Sequence, residues 1–380
     1  MNLTGHLSLG ISKSMTVKVI PANDVVGATI ALGEALAGNG TVFICGPEIA
    51  GVKPEIQELP EDVTNTALII ESSGSTGTPK RIFLSKEALL ASAKATEEYF
   101  GTSGQWLLAL PINYIAGAQV LVRSLVAETQ PVVMNTLVSF TPEAFARSAQ
   151  LMTAEHRFTS VVPTQLKRLA DAASVDEFVL RALKSFTAIL VGGQAVDPGI
   201  VSSLREKSVN VVLSYGMAET AGGVVYDGKA LAGVDIEIQD GLIAIKSPSL
   251  ANGVADASGF LVTQDAGEIA ADGRLKVLGR ADRVLISGAL KVSLDSVEAV
   301  AGSIGGVVEV AATALDSPEW GQRVGLVYVG SPEVADYVAG AVFEQLGLAA
   351  KPIRVIRVDK LPRLVNGKTD LISVRRLFDV

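Results

Sequence analysis

The stretch Ser72-Ser73-Gly74-Ser75-Thr76-Gly77-Thr78-Pro79-Lys80 places five hydroxyl side chains, two glycines and a lysine within nine residues. Glycines let backbone N–H groups approach an anion, hydroxyls donate hydrogen bonds to phosphate oxygens, and the lysine adds positive charge. Short apolar, β-favouring runs flank the stretch at residues 66–70 and 81–84. The pattern therefore predicts a polyphosphate-binding loop between two strands, and the flanking runs disfavour the alternative of a flexible surface linker.

This loop is not a Walker A motif, which requires G-x-x-x-x-G-K-[ST] at the start of a helix. Thr78 and Pro79 separate Gly77 from Lys80, and a strand follows. A second stretch, Gly367-Lys368-Thr369, resembles the end of a Walker A motif, but Pro362 stands where that motif needs its first glycine. Both sites therefore argue against a P-loop NTPase.

Composition narrows the class of protein. A chain of 380 residues exceeds the size at which single cores stop growing, so two domains are expected. The net charge of −8 disfavours non-specific nucleic-acid binding. One cysteine and two histidines exclude an internal disulfide, a CxxC metal site and a zinc site of several histidines. No signal peptide is evident and polar residues interrupt the apolar run at 107–122, so a cytoplasmic location without a membrane span is predicted.

The order of predicted elements indicates the architecture. Ser85 is the expected N-cap of a helix that Gly101 ends, and strands and helices then alternate to residue 213. Such alternation is typical of a doubly wound α/β sheet, whose ligands bind at the carboxyl ends of the strands. Loops at 192–195 and 214–220 lie at such ends. After Gly223 the pattern becomes β-rich, with an expected turn at Asp240-Gly241. We predict an N-terminal domain at 1–281 and a small, mobile α+β C-terminal domain at 282–380.

Together these loops resemble the adenylate-forming superfamily, which comprises acyl-CoA synthetases, luciferases and peptide-synthetase adenylation domains. The resemblance covers about residues 66–370. Within the superfamily, the motifs at 109–117, 121–124 and 222–228 are similar to those of actinobacterial-type o-succinylbenzoate-CoA ligases of menaquinone biosynthesis. The resemblance implies an ATP- and Mg²⁺-dependent acid–thiol ligase that uses CoA as its second substrate.

By this resemblance, Glu219 would bind Mg²⁺, Thr220 would contact the α-phosphate and Lys368 would stabilise charge during adenylate formation. The expected nucleotide-binding residues lie in the loops described above and in the β-rich region. They are Ser72, Ser73, Gly74, Ser75, Thr76, Gly77, Thr78 and Lys80 for the phosphates, Gly193, Gln194 and Tyr215 for adenine, and Asp265 and Arg280 for ribose.

The resemblance also implies residues for the other substrates. Tyr114, Arg123 and Gly216 would line the acid site, Asp282 would be the hinge, and Ser287, Gly288 and Lys291 would contact CoA. Arg123 as a clamp for a second carboxylate and Arg123 snorkelling to solvent from an amphipathic helix stay equally open.

Structural alternatives exist for the other residues too. Glu219 and Lys368 could be solvated surface residues, and Asp265 and Arg280 could form an ion pair across a hairpin. The sequence departs from the superfamily pattern at Tyr114, Gln264, Ala289, Leu294 and Ser296. Ala289 is the most consequential, because its methyl group could narrow the CoA path or demand a negative φ where glycine is unrestricted.

Rival functions are another aryl- or acyl-CoA ligase and a non-catalytic nucleotide-binding relative. A peptide-synthetase module is disfavoured because no carrier domain follows Lys368. The expected partners are small molecules, namely an aromatic carboxylic acid, ATP and CoA, with a homodimer as the default assembly.

Overall fold

The computed structural model of the protein describes residues 17–48, 65–72, 80–363 and 369–379. Its first layer is a sheet in the order β1-β2-β3-β4, in which β1 to β3 run parallel and β4 antiparallel. The strands are β1 Val17–Pro21, β2 Thr41–Cys45, β3 Leu68–Ser72 and β4 Lys80–Leu84, with helix α1 at Val25–Leu36. Strands therefore stand on both sides of the proposed phosphate loop, as predicted.

A seven-stranded sheet follows in the order β11-β10-β9-β8-β7-β5-β6, parallel from β6 to β9 with antiparallel β10 and β11 at one edge. Its strands are β5 Gln105–Leu108, β6 Val132–Val133, β7 Arg157–Val161, β8 Ala188–Gly192, β9 Val211–Met217, β10 Gly222–Tyr226 and β11 Lys229–Ala230. The helices beside it are α2 Lys86–Phe100, α3 Ile115–Val126, α4 Pro142–Gln150, α5 Pro163–Ala173, α6 Glu177–Lys184 and α7 Pro198–Glu206.

Helices cover both faces of this sheet, because successive residues of a strand point to opposite sides. On β5, Trp106 packs in one core with Leu89 of α2, whereas Leu107 packs in a second core with Phe145 of α4. Ser85 caps α2 and Gly101 ends it in the left-handed region, as predicted. The apolar run at 107–122 forms part of β5 and α3, and no helix in the described ranges is long and apolar enough to cross a membrane.

The β-rich region is an antiparallel four-stranded sheet in the order β12-β13-β14-β15. Its strands are β12 Asp235–Gln239, β13 Leu242–Lys246, β14 Leu261–Ile269 and β15 Leu275–Arg280. Asp240 and Gly241 both have positive φ, which is the geometry of a type I′ hairpin turn. The predicted turn at Asp240-Gly241 is thus confirmed.

The remaining elements form a smaller α+β unit. They are β16 Val284–Ser287, β17 Leu290–Ser293, α8 Leu294–Ser303, β18 Val307–Ser317, β19 Gly321–Gly330, α9 Ala335–Leu346, β20 Arg354–Arg357 and α10 Leu371–Arg376. A short turn of 3₁₀ helix at Ala281–Arg283 joins β15 to this unit. The proposed boundary after residue 281 falls within that turn, and the exact division stays a prediction.

Candidate active site

The carboxyl ends of β8 and β9 bring two of the predicted segments together, although residues 214–217, predicted as part of a loop, extend β9 to Met217. The two strands are neighbours, with Gly192 opposite Ser214, so the residues that follow each strand lie at one edge of the sheet. Gly193 has a φ of +90° and open space where a Cβ would lie, and Gln194 is exposed. The structure therefore places both residues, with Tyr215, on the edge where doubly wound sheets bind ligands.

Glu219 lies in the four-residue loop that joins β9 to β10, next to the start of β4. Its Oε1 is 3.5 Å from Lys80 Nζ, and its side chain is 20% exposed. The backbone N–H of Ala251 donates to the Glu219 carbonyl at 2.8 Å, which fixes this residue from a third segment. A carboxylate and an ammonium thus lie together where β4 meets the loop between β9 and β10. Ser73 to Thr78 and Lys368 lie outside the described residues.

Glu219 is the residue near Lys80 that could ligate Mg²⁺. No cluster of three or more histidine, cysteine or acidic side chains occurs in the part of the chain that the structure describes. Mg²⁺ in nucleotide enzymes is usually held by one or two carboxylates plus the phosphates of the substrate. A single carboxylate at Glu219 fits that mode and does not fit a metal site made by the protein alone.

Thr220 differs from the prediction. Its side chain is fully buried, and its hydroxyl accepts from the Met217 N–H at 2.9 Å and donates to the Gly222 carbonyl at 2.6 Å. The hydroxyl therefore braces the loop from inside and does not face the edge of the sheet. The predicted contact of this hydroxyl with an α-phosphate is not supported by this geometry.

Tyr215 and Asp265 meet between the two sheets. The phenol donates to Asp265 Oδ2 at 2.9 Å, and the backbone N–H of Asp265 donates to Thr263 Oγ1 at 3.1 Å. Burial, and secondarily the charge of Asp265, raise the pKa of the Tyr215 phenol well above its usual value. The phenol therefore remains a hydrogen-bond donor at neutral pH.

Arg280 stands opposite Asp265 in the β14–β15 register, yet its ion pair is with Asp282. The Arg280 Nε to Asp282 Oδ1 distance is 3.5 Å, and both side chains are exposed. The alternative of a structural Asp265–Arg280 ion pair is not observed. Asp265 thus keeps its contact with Tyr215 without that partner, and Arg280 contacts the predicted hinge residue.

The predicted acid site is split between surface and interior. Tyr114, the residue before α3, is 54% exposed. Gly216 is packed so tightly that a Cβ would lie 2.0 Å from the Gly222 carbonyl oxygen, so no larger residue fits there. Arg123, two turns further along α3, is only 6% exposed, which rules out the snorkelling alternative.

Arg123 lies in a small pocket whose lining includes the aromatic residues Phe100, Trp106 and Phe158, several hydroxyl and aliphatic side chains, and Glu97. Its guanidinium carbon is 4.8 Å from the centre of a Trp106 ring, and Nη2 donates to the Tyr226 hydroxyl at 3.3 Å. Its Nε has no hydrogen-bond partner, and no ion pair to Arg123 occurs within the described ranges. A buried guanidinium with this surrounding can accept a carboxylate.

The predicted CoA residues occupy the β16–β17 hairpin, which turns through Gly288 and Ala289, with φ of +54° and +67°. Ser287 is fully buried, so its side chain does not face solvent, contrary to a direct hydroxyl contact with CoA. Lys291 is exposed. Ala289 keeps the positive φ of a glycine, so the expected demand for a negative φ is wrong.

Sequence reasoning missed a set of buried polar residues behind the Glu219 loop: Ser92, Thr96, Gln119 and Tyr226. The one available signal was Gln119, a polar residue within the apolar run at 107–122.

The family model for AMP-binding enzymes matches residues 15–277, and the model for the AMP-binding enzyme C-terminal domain matches residues 296–368. This chain belongs to the AMP-binding enzyme family. The α/β fold with a large N-terminal domain and a smaller C-terminal domain is thereby confirmed.

Individual relatives agree with this membership. The chain is 33% identical over 380 residues to a probable 2-succinylbenzoate–CoA ligase of Mycobacterium tuberculosis, covering 94% of this chain and 97% of the relative. It is 27% identical to the 2-succinylbenzoate–CoA ligase of Enterococcus faecalis, covering 81% and 69%.

Solved structures share the fold. The o-succinylbenzoate CoA synthetase MenE of Bacillus subtilis, in complex with the acyl-adenylate OSB-AMP, is 23% identical with a TM-score of 0.70, covering 94% of this chain and 87% of that one. The amide bond synthetase McbA of Marinactinospora thermotolerans is also 23% identical, with a TM-score of 0.65 and coverages of 95% and 80%.

Proposed function

We propose that this protein is a 2-succinylbenzoate–CoA ligase that acts in menaquinone biosynthesis. In the first step, a carboxylate oxygen of the acid attacks the α-phosphorus of ATP and diphosphate leaves. In the second, the CoA thiolate attacks the acyl carbon and AMP leaves. The relative that matches almost the full length of both chains supports this assignment.

The observation that supports o-succinylbenzoate as the substrate is the burial of Arg123. Its guanidinium has no carboxylate partner in the described structure. Burying a charge without an ion-pair partner is costly in free energy. Such a charge is therefore expected where a ligand of opposite charge supplies the partner. An aromatic acid with a second carboxylate on a side chain suits the charge of Arg123 and the aromatic residues around it.

The proposed nucleotide site combines residues 72–80 with the residues at the carboxyl ends of β8 and β9. Ser72 to Lys80 would hold the β- and γ-phosphates, and Glu219 would complete the shell of a Mg²⁺ bound to them, which neutralises phosphate charge. Tyr215, Gly193 and Gln194 would hold adenine. Asp265 would accept hydrogen bonds from the ribose hydroxyls, with Arg280 nearby.

The second half-reaction needs a different arrangement. Residues 282–380 would rotate about Asp282, so that the β16–β17 hairpin with Gly288 and Lys291 replaces the segment carrying Lys368. Lys368→Ala should then abolish adenylate formation while leaving thioester formation from supplied acyl-adenylate nearly intact, measured in separate half-reaction assays. Equal losses in both half-reactions would refute the role of the lysine.

The test of the whole proposal is diphosphate release from ATP, with and without CoA, across o-succinylbenzoate, simple benzoates and short fatty acids. Release with o-succinylbenzoate alone, completed to a thioester by CoA, is expected. Release with a different acid would retain the reaction and reject the substrate. No release with any acid, together with measurable ATP binding, would favour a nucleotide-binding relative without catalysis.

A further inference from the structure

The loop that carries Glu219, residues 218–221, accepts hydrogen bonds from two buried side chains on different helices. Ala221, the last residue of the loop, is a non-glycine residue at φ +51° and ψ +35°, in the left-handed region. Its carbonyl accepts from Gln119 Nε2 of α3 at 2.7 Å and from Ser92 Oγ of α2 at 2.9 Å. Both donors are almost fully buried.

The left-handed conformation of Ala221 sets the direction in which the chain leaves Glu219. A non-glycine residue in this region costs on the order of 1 kcal/mol and persists only where its surroundings determine it. Met217 pairs with Gly222 directly across the loop, and the Ala221 N–H donates to the Ala218 carbonyl at 3.1 Å. The other backbone polar group of Ala221 is its carbonyl, which accepts the hydrogen bonds from Gln119 and Ser92.

Gln119 is an unfavourable choice for stability alone. Its Oε1 is buried without a partner among the described residues, so the amide is only half satisfied. An apolar side chain of the same shape would avoid that desolvation cost. A polar residue retained in a buried position at a cost indicates a role in positioning.

We propose that Gln119 and Ser92 are positioning residues: they clamp the Ala221 carbonyl and thereby aim the Glu219 carboxylate at the metal–phosphate site. This inference rests on the proposed function, in which Glu219 serves Mg²⁺ bound to ATP. Neither residue contacts the nucleotide. Their loss should therefore weaken only the part of ATP binding that depends on Glu219 and Mg²⁺.

The experiment compares Gln119→Met and Ser92→Ala with the unmodified protein by calorimetric titration, with acid and CoA omitted. ATP is titrated with and without Mg²⁺, and AMP is titrated separately. We expect the Mg²⁺-dependent tightening of ATP to fall roughly 3- to 10-fold in each variant, the worth of one hydrogen bond. The affinity for AMP, which lacks the β- and γ-phosphates, should stay within about 2-fold.

A matched control is Thr159→Val. Thr159 is fully buried and donates to the Leu107 carbonyl at 3.0 Å, so the variant loses the same kind of bond away from the Glu219 loop. It should leave the Mg²⁺ effect unchanged. Thermal unfolding gives a second readout, because Gln119→Met should retain its stability if the amide is there for positioning.

The outcomes separate the two proposals. Unaltered Mg²⁺-dependent tightening in both variants, or equal losses for AMP and Mg²⁺-ATP, would overturn the positioning role alone. Absence of any Mg²⁺ effect in the unmodified protein would contradict the metal assignment of the proposed function and this inference with it.

Discussion

The phenol of Tyr215 donates a hydrogen bond of 2.9 Å to Asp265 Oδ2, joining the carboxyl end of β9 to strand β14. An ionised carboxylate has about four acceptor sites, so one donor does not saturate it. Ribose hydroxyls can bind the same carboxylate while the phenol stays in place. The contact therefore fixes the orientation of both the predicted adenine-stacking ring and the predicted ribose acceptor.

Tyr215→Phe keeps the ring and removes this hydrogen bond. We expect ATP affinity to fall by roughly 10-fold or somewhat more, since a hydrogen bond to a charged group is worth about 1.5 kcal/mol or somewhat more. Tyr215→Ala, which also removes stacking, should lose more. Nucleotide titration of both variants checks this, and equal affinities in the two would show that the ring does not stack on adenine.

The raised pKa of Tyr215 also predicts a pH dependence of stability. In the unfolded chain this phenol ionises near pH 10, whereas in the fold burial and Asp265 keep it protonated to higher pH. Its contribution to stability is therefore complete below about pH 10 and is lost as pH rises above it. Urea unfolding at pH 8 and near pH 11 should show a smaller alkaline loss for Tyr215→Phe than for the unmodified protein. An identical loss would contradict the assignment.

The stability of the smaller α+β unit is expected to depend on a cluster of charged residues that begins directly after the proposed hinge. Arg283 donates to Asp295 at 2.8 Å, to the Ala312 carbonyl at 2.8 Å and to Glu298. Its side chain is largely buried, so Glu298→Ala removes one of its two carboxylate partners, leaves the Ala312 N–H without its acceptor and should cost about 2 to 3 kcal/mol of unfolding free energy. Glu268→Ala, which breaks an exposed pair with Lys276, should cost less than about 1 kcal/mol. Chemical unfolding distinguishes them, and similar costs would place Arg283 in effectively solvated surroundings.

Local signals in the sequence were sufficient for most of the fold. Ser85, Gly101 and the Asp240-Gly241 pair each act within a few residues, so their caps and turns follow from the backbone alone. The alternation of strands and helices is also a local signal, because each element is recognised from its own residues, and it predicted the doubly wound sheet.

The sequence could not predict contacts made by distant segments. Thr220 stands beside the predicted metal ligand, yet pairing of β9 with β10 turns its hydroxyl inward. Arg123 lies on a helix where arginine normally reaches solvent, but Trp106 and Tyr226 enclose it. The hydrogen bonds of Ser92 and Gln119 to the Ala221 carbonyl join residues more than 100 positions apart, so no local sequence pattern predicts them.

Ala289 gives a test of backbone strain at the predicted CoA hairpin. It follows Gly288 in a two-residue turn at φ +67°, a conformation that costs an alanine about 1 kcal/mol relative to glycine. Ala289→Gly should therefore gain up to roughly 0.5 kcal/mol in stability, because the added freedom of glycine in the unfolded chain offsets part of the relief. Gly288→Ala is the opposite case, since its Cβ would lie 2.7 Å from Trp320. Thermal unfolding of the pair should give opposite signs, and a loss in both would contradict the turn geometry.

Arg123 combines a cost to stability with a proposed gain in substrate recognition, and the two can be measured separately. Arg123→Met preserves the apolar stem and removes a buried charge that has no ion pair in the described structure. Because an unpaired buried charge is unfavourable, the variant should unfold at a temperature equal to or above that of the unmodified protein. The KM for o-succinylbenzoate should rise roughly 10- to 100-fold, the worth of a charge-assisted bidentate contact, whereas the KM for ATP should stay constant.

The decisive comparison uses acids with one and two carboxylates. If Arg123 binds the second carboxylate, any residual activity of the enzyme with a benzoate that lacks it will be unaffected by Arg123→Met, because that acid never used the guanidinium. Arg147→Met removes an exposed arginine from α4 and serves as the control, expected to change neither substrate. Equal increases in KM for both acids would mean that Arg123 shapes the pocket through Trp106 and Tyr226 and does not bind a carboxylate. The stability of the variant then decides between these roles, since a residue that only shapes the pocket should lose stability when it is replaced.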